Sequence, residues 1–360
     1  MGEESAVTLE DRKTAFERFW RGEGPGLLLI PPGEQELYDC ADYPTRFEDP
    51  EAMWESEMAR ARPVADWPTD GIPTVRPNLG VIFIPAIAGL SYQLKPDQMP
   101  WPGEPLDRGA IRAAREVDLA DTHLMGLAAD FYALHAERGD GVAAYMADTQ
   151  GVFDIAHLLS GEEIFYDIAD PQQAEWVAEL LDISLDLYVR VSRHLKTLLG
   201  EEPTRLVHGH GTSQGAWFPT AGVRFCEDTP TLLSPATIEG TLLPYIERAL
   251  EPFGGGFAHF CGKHDFLFER LCRMPQVQAI DLGNPEYYDS RRLLDICGET
   301  GTVLYSRLAA ADGEAWEPYV RRIAALASDA GARCILRPAV FPEAREACQA
   351  MLDLWHELTA

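Results

Sequence analysis

Eight short apolar runs, at residues 71–77, 142–147, 204–208, 222–225, 257–261, 277–282, 302–306 and 334–338, alternate with helical patterns along this 360-residue chain. Short apolar runs bounded by turn residues read as buried strands of a parallel sheet. Strands that alternate with helices predict α/β architecture, and eight of them predict a closed (β/α)8 TIM barrel. The clearest helix spans 174–199: Asp170 offers a cap, Pro171 a first helical position, Gln173 a capping-box partner and Gly200 a stop. Helices are also expected over 9–22, 50–62 and 342–358, with a short strand over 26–32. No linker-like segment divides the chain, so residues 1–65 read as an N-terminal helical extension packed on a barrel of residues 66–360.

Charge narrows the partners. The formal net charge is −28, a field that repels phosphates and argues against nucleic acid or an anionic membrane surface. No apolar stretch approaches a membrane span, and no apolar segment follows a basic patch at the N-terminus. The seven cysteines, at 40, 226, 261, 272, 297, 334 and 348, have no framework spacing. They read as reduced thiols of a cytoplasmic protein, and Cys226, Cys272, Cys297 and Cys348 as structural.

In a barrel the reactive groups lie at the C-terminal ends of the strands. There the sequence places Asp148 and Gln150, then His208 and His210, then Cys226 and Asp228, His259 and Cys261, Asp281 with Asn284 and Glu286, and finally Arg307. Asp148, His210 and Asp281 are the expected catalytic groups. Gln150, His208, Asp228 and Arg307 are the expected substrate contacts, joined by Tyr92 from a proline- and aromatic-rich loop over 92–101. His259-Phe260-Cys261 is the sharpest signal. Residues i and i+2 of a strand share a face, so an imidazole and a thiol stand side by side as half of a zinc site.

The segments 148–156, 159–163, 167–171, Leu233-Ser234-Pro235 and His259-Phe260-Cys261-Gly262, in that order, resemble the uroporphyrinogen decarboxylase superfamily in its corrinoid-dependent methyltransferase-like branch. The resemblance implies a (β/α)8 barrel and zinc held by His259 and Cys261. It also implies a thiol acceptor activated by that zinc, a methyl group presented by a corrinoid protein, and a homodimer. The pattern breaks near the C-terminus. The family reads Ile-Leu-x-Pro-Gly-Cys where this chain has Ile335-Leu336-Arg337-Pro338-Ala339-Val340. Val340 cannot bind metal, and Cys334 sits at the other end of that strand. Glu286 is the expected replacement, with Asp281, His210 and His264 as alternatives. Decarboxylation of a tetrapyrrole-like carboxylate is a second reading, although residues 26–33 lack the arginines the decarboxylase carries there. A barrel that only binds a ligand or docks a partner is a third.

Overall fold

The computed structural model describes residues 7–33 and 42–360, and Cys40 lies outside them. In chain order the strands are β1 (Leu27–Leu28), β2 (Ile72–Val75), β3 (Tyr92–Lys95), β4 (Gln98–Pro102), β5 (Ala143–Ala144), β6 (Leu206–His208), β7 (Gln214–Phe218), β8 (Val223–Cys226), β9 (Gly256–Phe260), β10 (Val277–Leu282), β11 (Val303–Ser306) and β12 (Cys334–Leu336). Each of the eight apolar runs therefore contains a strand. Six strands make one parallel sheet, ordered β1-β12-β11-β10-β9-β8.

The rest departs from a simple ring of eight parallel strands. A second sheet runs β5-β2-β7-β6, and β7 is antiparallel to both of its neighbours. The run at 204–208 thus does not lead into a helix. It turns back at once into β7, through a reversal in which His210 and Gly211 both take positive φ, +47° and +72°. Two glycines flanking one residue between apolar runs are a hairpin signal that strand counting overlooks. The two sheets touch at both edges. Leu28 N–H donates to Asp70 Oδ2 (2.7 Å) and the Asp70 N–H to the Leu28 carbonyl (3.0 Å). At the other edge Thr149 Oγ1 donates to the Arg224 carbonyl (3.4 Å) and the Phe153 N–H to Glu227 Oε2 (3.2 Å). The strand at 27–28, expected within the extension, is the outer strand of the parallel sheet beside β12.

The long helix is Ala174–Leu199, closed by Gly200 in the left-handed conformation. Its start differs in detail from the sequence expectation. Asp170 caps a single 3-10 turn, Pro171–Gln173, and the Gln173 side chain accepts from Arg108 instead of closing a capping box. The last helix is Arg345–Thr359, and Pro50–Ala65 is the second long helix of the N-terminal region. Among the described residues no helix is long and apolar enough to cross a membrane.

The first helix, Leu9–Trp20, opens with a reciprocal box between Thr8 and Asp11. Trp20 Nε1 ties it to the Trp217 carbonyl of β7 (2.7 Å), and Arg12 ties it to the segment that leads into β2. The buried Arg12 guanidinium donates to the carbonyls of Gly71 (2.7 Å), Ala65 (3.0 Å) and Val64 (3.3 Å), and to that of Thr69. A carbonyl array without its donor keeps the full desolvation cost of burial. Arg12→Ala is therefore expected to lower stability to chemical denaturation by about 2–3 kcal/mol, with the loss read as a drop in midpoint at unchanged slope.

Candidate metal and catalytic site

Strand register builds the site. Cys226 on β8 pairs with His259 on β9, and His259 pairs with Asp281 on β10. Residues in register on neighbouring strands point to the same face, so a thiol, an imidazole and a carboxylate stand in one row at the C-terminal ends of three strands. The loop after β8 adds Asp228. Ligand atoms of Cys226, Asp228 and His259 all lie within 4.8 Å of one another, as do those of His210, His259 and Asp281. Cys261 joins from beyond β9, its Sγ 3.5 Å from His259 Nε2. It packs tightly against Gly283, where an added Cβ would sit 2.4 Å from that sulfur. Glycine is required at 283 by this close approach.

Asp281 organises the row. It is fully buried, its Oδ1 accepts from Arg337 Nη2 (2.5 Å), and its Oδ2 faces His259 Nδ1 (3.0 Å) and His210 Nε2 (3.4 Å). Burial by itself would raise this carboxyl. The charge of Arg337, the His259 hydrogen bond and the nearby Arg307 outweigh burial and hold it below the usual range. An anionic Asp281 can only accept, so His259 carries its proton on Nδ1. Its Nε2 lone pair is then turned toward Cys261, with Asp228 Oδ1 4.0 Å away. A carboxylate on the far side of a ligating imidazole is the usual support of a metal-binding histidine. The second trio is the poorer cation site, because Arg337 already neutralises its only carboxylate.

His210 reaches this row from the β6–β7 hairpin, its ring centroid 4.2 Å from that of His259. Burial, then the neighbouring charges of His259 and the arginines, hold His210 well below its ordinary pKa. His208 is depressed by burial first and then by Arg224 and Arg76. Both are neutral imidazoles. His208 lies deeper, edge-on to Tyr145 at 5.2 Å.

Asp148 occupies a separate cage. Its Oδ1 accepts from Arg224 Nη1 (2.8 Å) and Gln150 Nε2 (2.8 Å), and Arg76 Nη1 lies 3.5 Å from Oδ2. Burial opposes ionisation there, but the two arginines win and its pKa is lowered. A carboxylate so held anchors structure more readily than it takes up a proton. Gln150 has a φ of +53°, an uncommon conformation for a side chain without local turn chemistry.

The other expected residues are dispersed. Glu286 belongs to neither trio; its Oε1 accepts from Asn284 Nδ2 (2.8 Å) on the rim. The Nδ1 of His264 accepts from the Leu267 N–H and caps the helix Asp265–Cys272, while its Nε2 faces the Leu233 carbonyl, so both nitrogens are engaged away from the site. Tyr92 lies on the β3–β4 hairpin against Phe47, 5.5 Å between ring centroids. Arg307 borders a cavity of about 730 Å3 beside Gly283. Val340 and the buried Cys334 are in neither trio. Cys226 corrects the sequence assignment, because it faces the candidate site instead of serving only as core. The signal was available in Cys226-Glu227-Asp228, which repeats the i, i+2 spacing of His259 and Cys261. Arg224 and Arg337 were also missed, as arginines within apolar runs that register turns inward.

Behind Asp228 lies a buried carboxyl pair. Asp154 accepts from the Asp228 N–H (2.9 Å) and the Thr229 N–H (2.8 Å), while Glu227 accepts from the N–H groups of Phe153 and Asp154. Burial and then the charge of Asp228 push Asp154 up to about 7, and burial and Asp154 push Glu227 up as well. An acid raised on folding binds its proton more tightly in the native state. Its contribution to stability is therefore present below the ordinary carboxylate range and lost as pH rises toward 7. Asp154→Asn keeps an acceptor without the charge. Wild type is expected to lose stability relative to this variant between pH 5 and pH 8, measured by denaturant titration at each pH. A constant difference would exclude Asp154 as the titrating group.

No protein-family model and no curated protein sequence matches this chain. Among solved structures it is similar to a methyltransferase from Methanosarcina mazei, at 14% identity and a TM-score of 0.65, over 98% of this chain and 100% of that one. Along essentially its whole length the chain thus has the fold of that methyltransferase, the kind of protein its sequence motifs resemble.

Proposed function

We propose that this protein is a metal-assisted methyltransferase-like enzyme on a (β/α)8-type barrel, with zinc held by Cys226, His259 and Cys261 and closed by Asp228. The observation that carries the reading is the grouping of Cys226, Asp228 and His259 within 4.8 Å on adjacent strands. Tetrahedral zinc with bonds of roughly 2.0–2.3 Å sets its ligand atoms on the order of 3.5 Å apart. The 3.5 Å from His259 Nε2 to Cys261 Sγ and the 4.0 Å to Asp228 Oδ1 fit that demand. Cys226 takes the role that Val340 cannot fill.

The bound metal would supply Lewis acidity that keeps a substrate thiol ionised at neutral pH. The protein's own residues do the rest. Asp281, fixed by Arg337, locks the His259 tautomer and aims its Nε2. Asp228 has a side chain that is 41% exposed, and Cys261 is exposed beside it, whereas His259 and Cys226 are buried. Of the two exposed groups the carboxylate is the ligand an incoming substrate thiol would replace. Its position is set by Asp154, which receives its backbone N–H. Neutral His210 stands beside His259 and adds no positive charge to oppose a cation. Burial first, then Asp228, push the Cys261 thiol up to about 12, so a cation must displace its proton. Metal uptake is therefore expected to weaken as pH falls. A corrinoid protein as methyl carrier and a homodimeric assembly complete the proposal.

Elemental mass spectrometry of the purified protein tests it. Near-stoichiometric zinc is expected in wild type and none in His259→Ala, with strong depletion in Cys226→Ser and Cys261→Ser. Asp281→Asn is expected to weaken zinc affinity by roughly 10–100-fold while leaving the ligands in place. Glu286→Gln is expected to retain full zinc. A folded wild type without metal, never exposed to chelator, would sink the reading and favour metal-free decarboxylase-like chemistry.

A further inference from the structure

Arg307 and Arg337 extend from the ends of β11 and β12, one residue beyond the register pair Ser306 and Leu336. Two like charges on neighbouring strands repel unless anions lie between them. Asp281 answers Arg337 through one oxygen, but its other oxygen is engaged by the histidines. Arg307 has no carboxylate within ion-pair distance among the described residues. A guanidinium carries five N–H donors, and Arg307 spends one, in a long 3.4 Å contact with the Gly283 carbonyl. The buried Nε of Arg307 and of Arg337, and the buried Ser306 hydroxyl, have no protein acceptor. Arg337 is more than nine-tenths buried, where an unanswered donor is costly.

Both arginines line the cavity of about 730 Å3, and its remaining wall includes Leu29, Pro285, Ala309 and Phe341. A largely apolar chamber with a few convergent polar groups is the usual form of a small-molecule site. Gly283 connects it to the candidate metal site: its carbonyl meets Arg307 on one side and its Cα lies against the Cys261 sulfur on the other. Glu286 shares the chamber wall with its oxygen turned to Asn284. Its charge disfavours a second negative charge on whatever enters.

We propose that this chamber is a carboxylate subsite, in which Arg307 and Arg337 seat the head of a monocarboxylate whose apolar body lies along Leu29, Pro285 and Phe341. The subsite requires no metal, so it stands or falls apart from the zinc reading. A planar carboxylate matches the guanidinium fork in a way that a point charge does not. Arg307→Lys therefore keeps the charge but loses the paired hydrogen bonds.

Isothermal titration calorimetry on the full chain tests the proposal, with butyrate and benzoate as probes, butyramide as the neutral counterpart, and succinate and inorganic phosphate as dianions. Saturable binding of butyrate or benzoate is expected. At least tenfold weaker binding is expected for butyramide, the dianions and the Arg307→Gln protein, with Arg307→Lys in between. Butyramide binding as well as butyrate overturns the proposal on wild-type protein alone, whether or not the variants fold. Phosphate binding more tightly than the monocarboxylates overturns the stated class. Titrations are run before and after chelator. Binding that survives chelation supports the arginine subsite even if the protein holds no zinc, whereas binding that vanishes with the metal places the carboxylate on the metal and overturns it.

Discussion

The buried carboxylate of Asp281 is the constraint on which the rest of this site depends. An ionised carboxylate with no exposed surface is costly unless it is paired and hydrogen-bonded. Here Arg337 supplies the charge, His259 a hydrogen bond, and His210 stands 3.4 Å from the same oxygen. Each partner is fixed in return. Arg337 is held across the end of β12, His259 is confined to one tautomer, and the β6–β7 hairpin is drawn in far enough for His210 to lie against His259. Removing Asp281 would leave an unanswered guanidinium and an imidazole free to choose either nitrogen.

The same pairing explains how a chain without the expected C-terminal cysteine can still offer a coherent set of ligands. Val340 leaves β12 with nothing to give a metal, and the end of that strand carries a cation instead. The thiol comes from the opposite side of His259, where β8 places Cys226 in register with it. The sheet thereby separates its charges. Thiols and Asp228 gather around the Nε2 side of His259, while Arg337 and Arg307 gather beyond Asp281. The proposed cation site lies on the first side and the proposed carboxylate subsite on the second, within one strongly acidic protein.

Support beneath the site is also electrostatic. Asp148 bridges Arg76 and Arg224, and the Arg224 carbonyl accepts from Thr149 and from Tyr188 at 3.1 Å. Asp154 and Glu227 tie the loop after β8 to the start of the helix Val152–Ser160. These pairs fix the edge where the two sheets meet. Asp148 was legible in the sequence as a polar strand end, but the two arginines that flank it, Arg76 at the end of β2 and Arg224 on β8, come from segments far apart in sequence.

The sequence by itself determined the α/β alternation, the positions of eight strands, the long helix Ala174–Leu199 and the His259-x-Cys261 pair. Each is local: apolar runs, cap residues and a two-residue spacing act within a few residues of chain. Only the tertiary structure decided which strands are neighbours, and that depends on pairings between segments far apart in sequence. Register brought Cys226 and Asp281 to either side of His259, left Glu286 on the rim, and turned Arg224 and Arg337 inward. The reversal between β6 and β7 is signalled locally by Gly209-His210-Gly211, but the insertion of β7 between β2 and β6 is decided by tertiary packing. That antiparallel strand is buried on both faces, and an apolar run so placed reads the same whether it continues a ring or folds back.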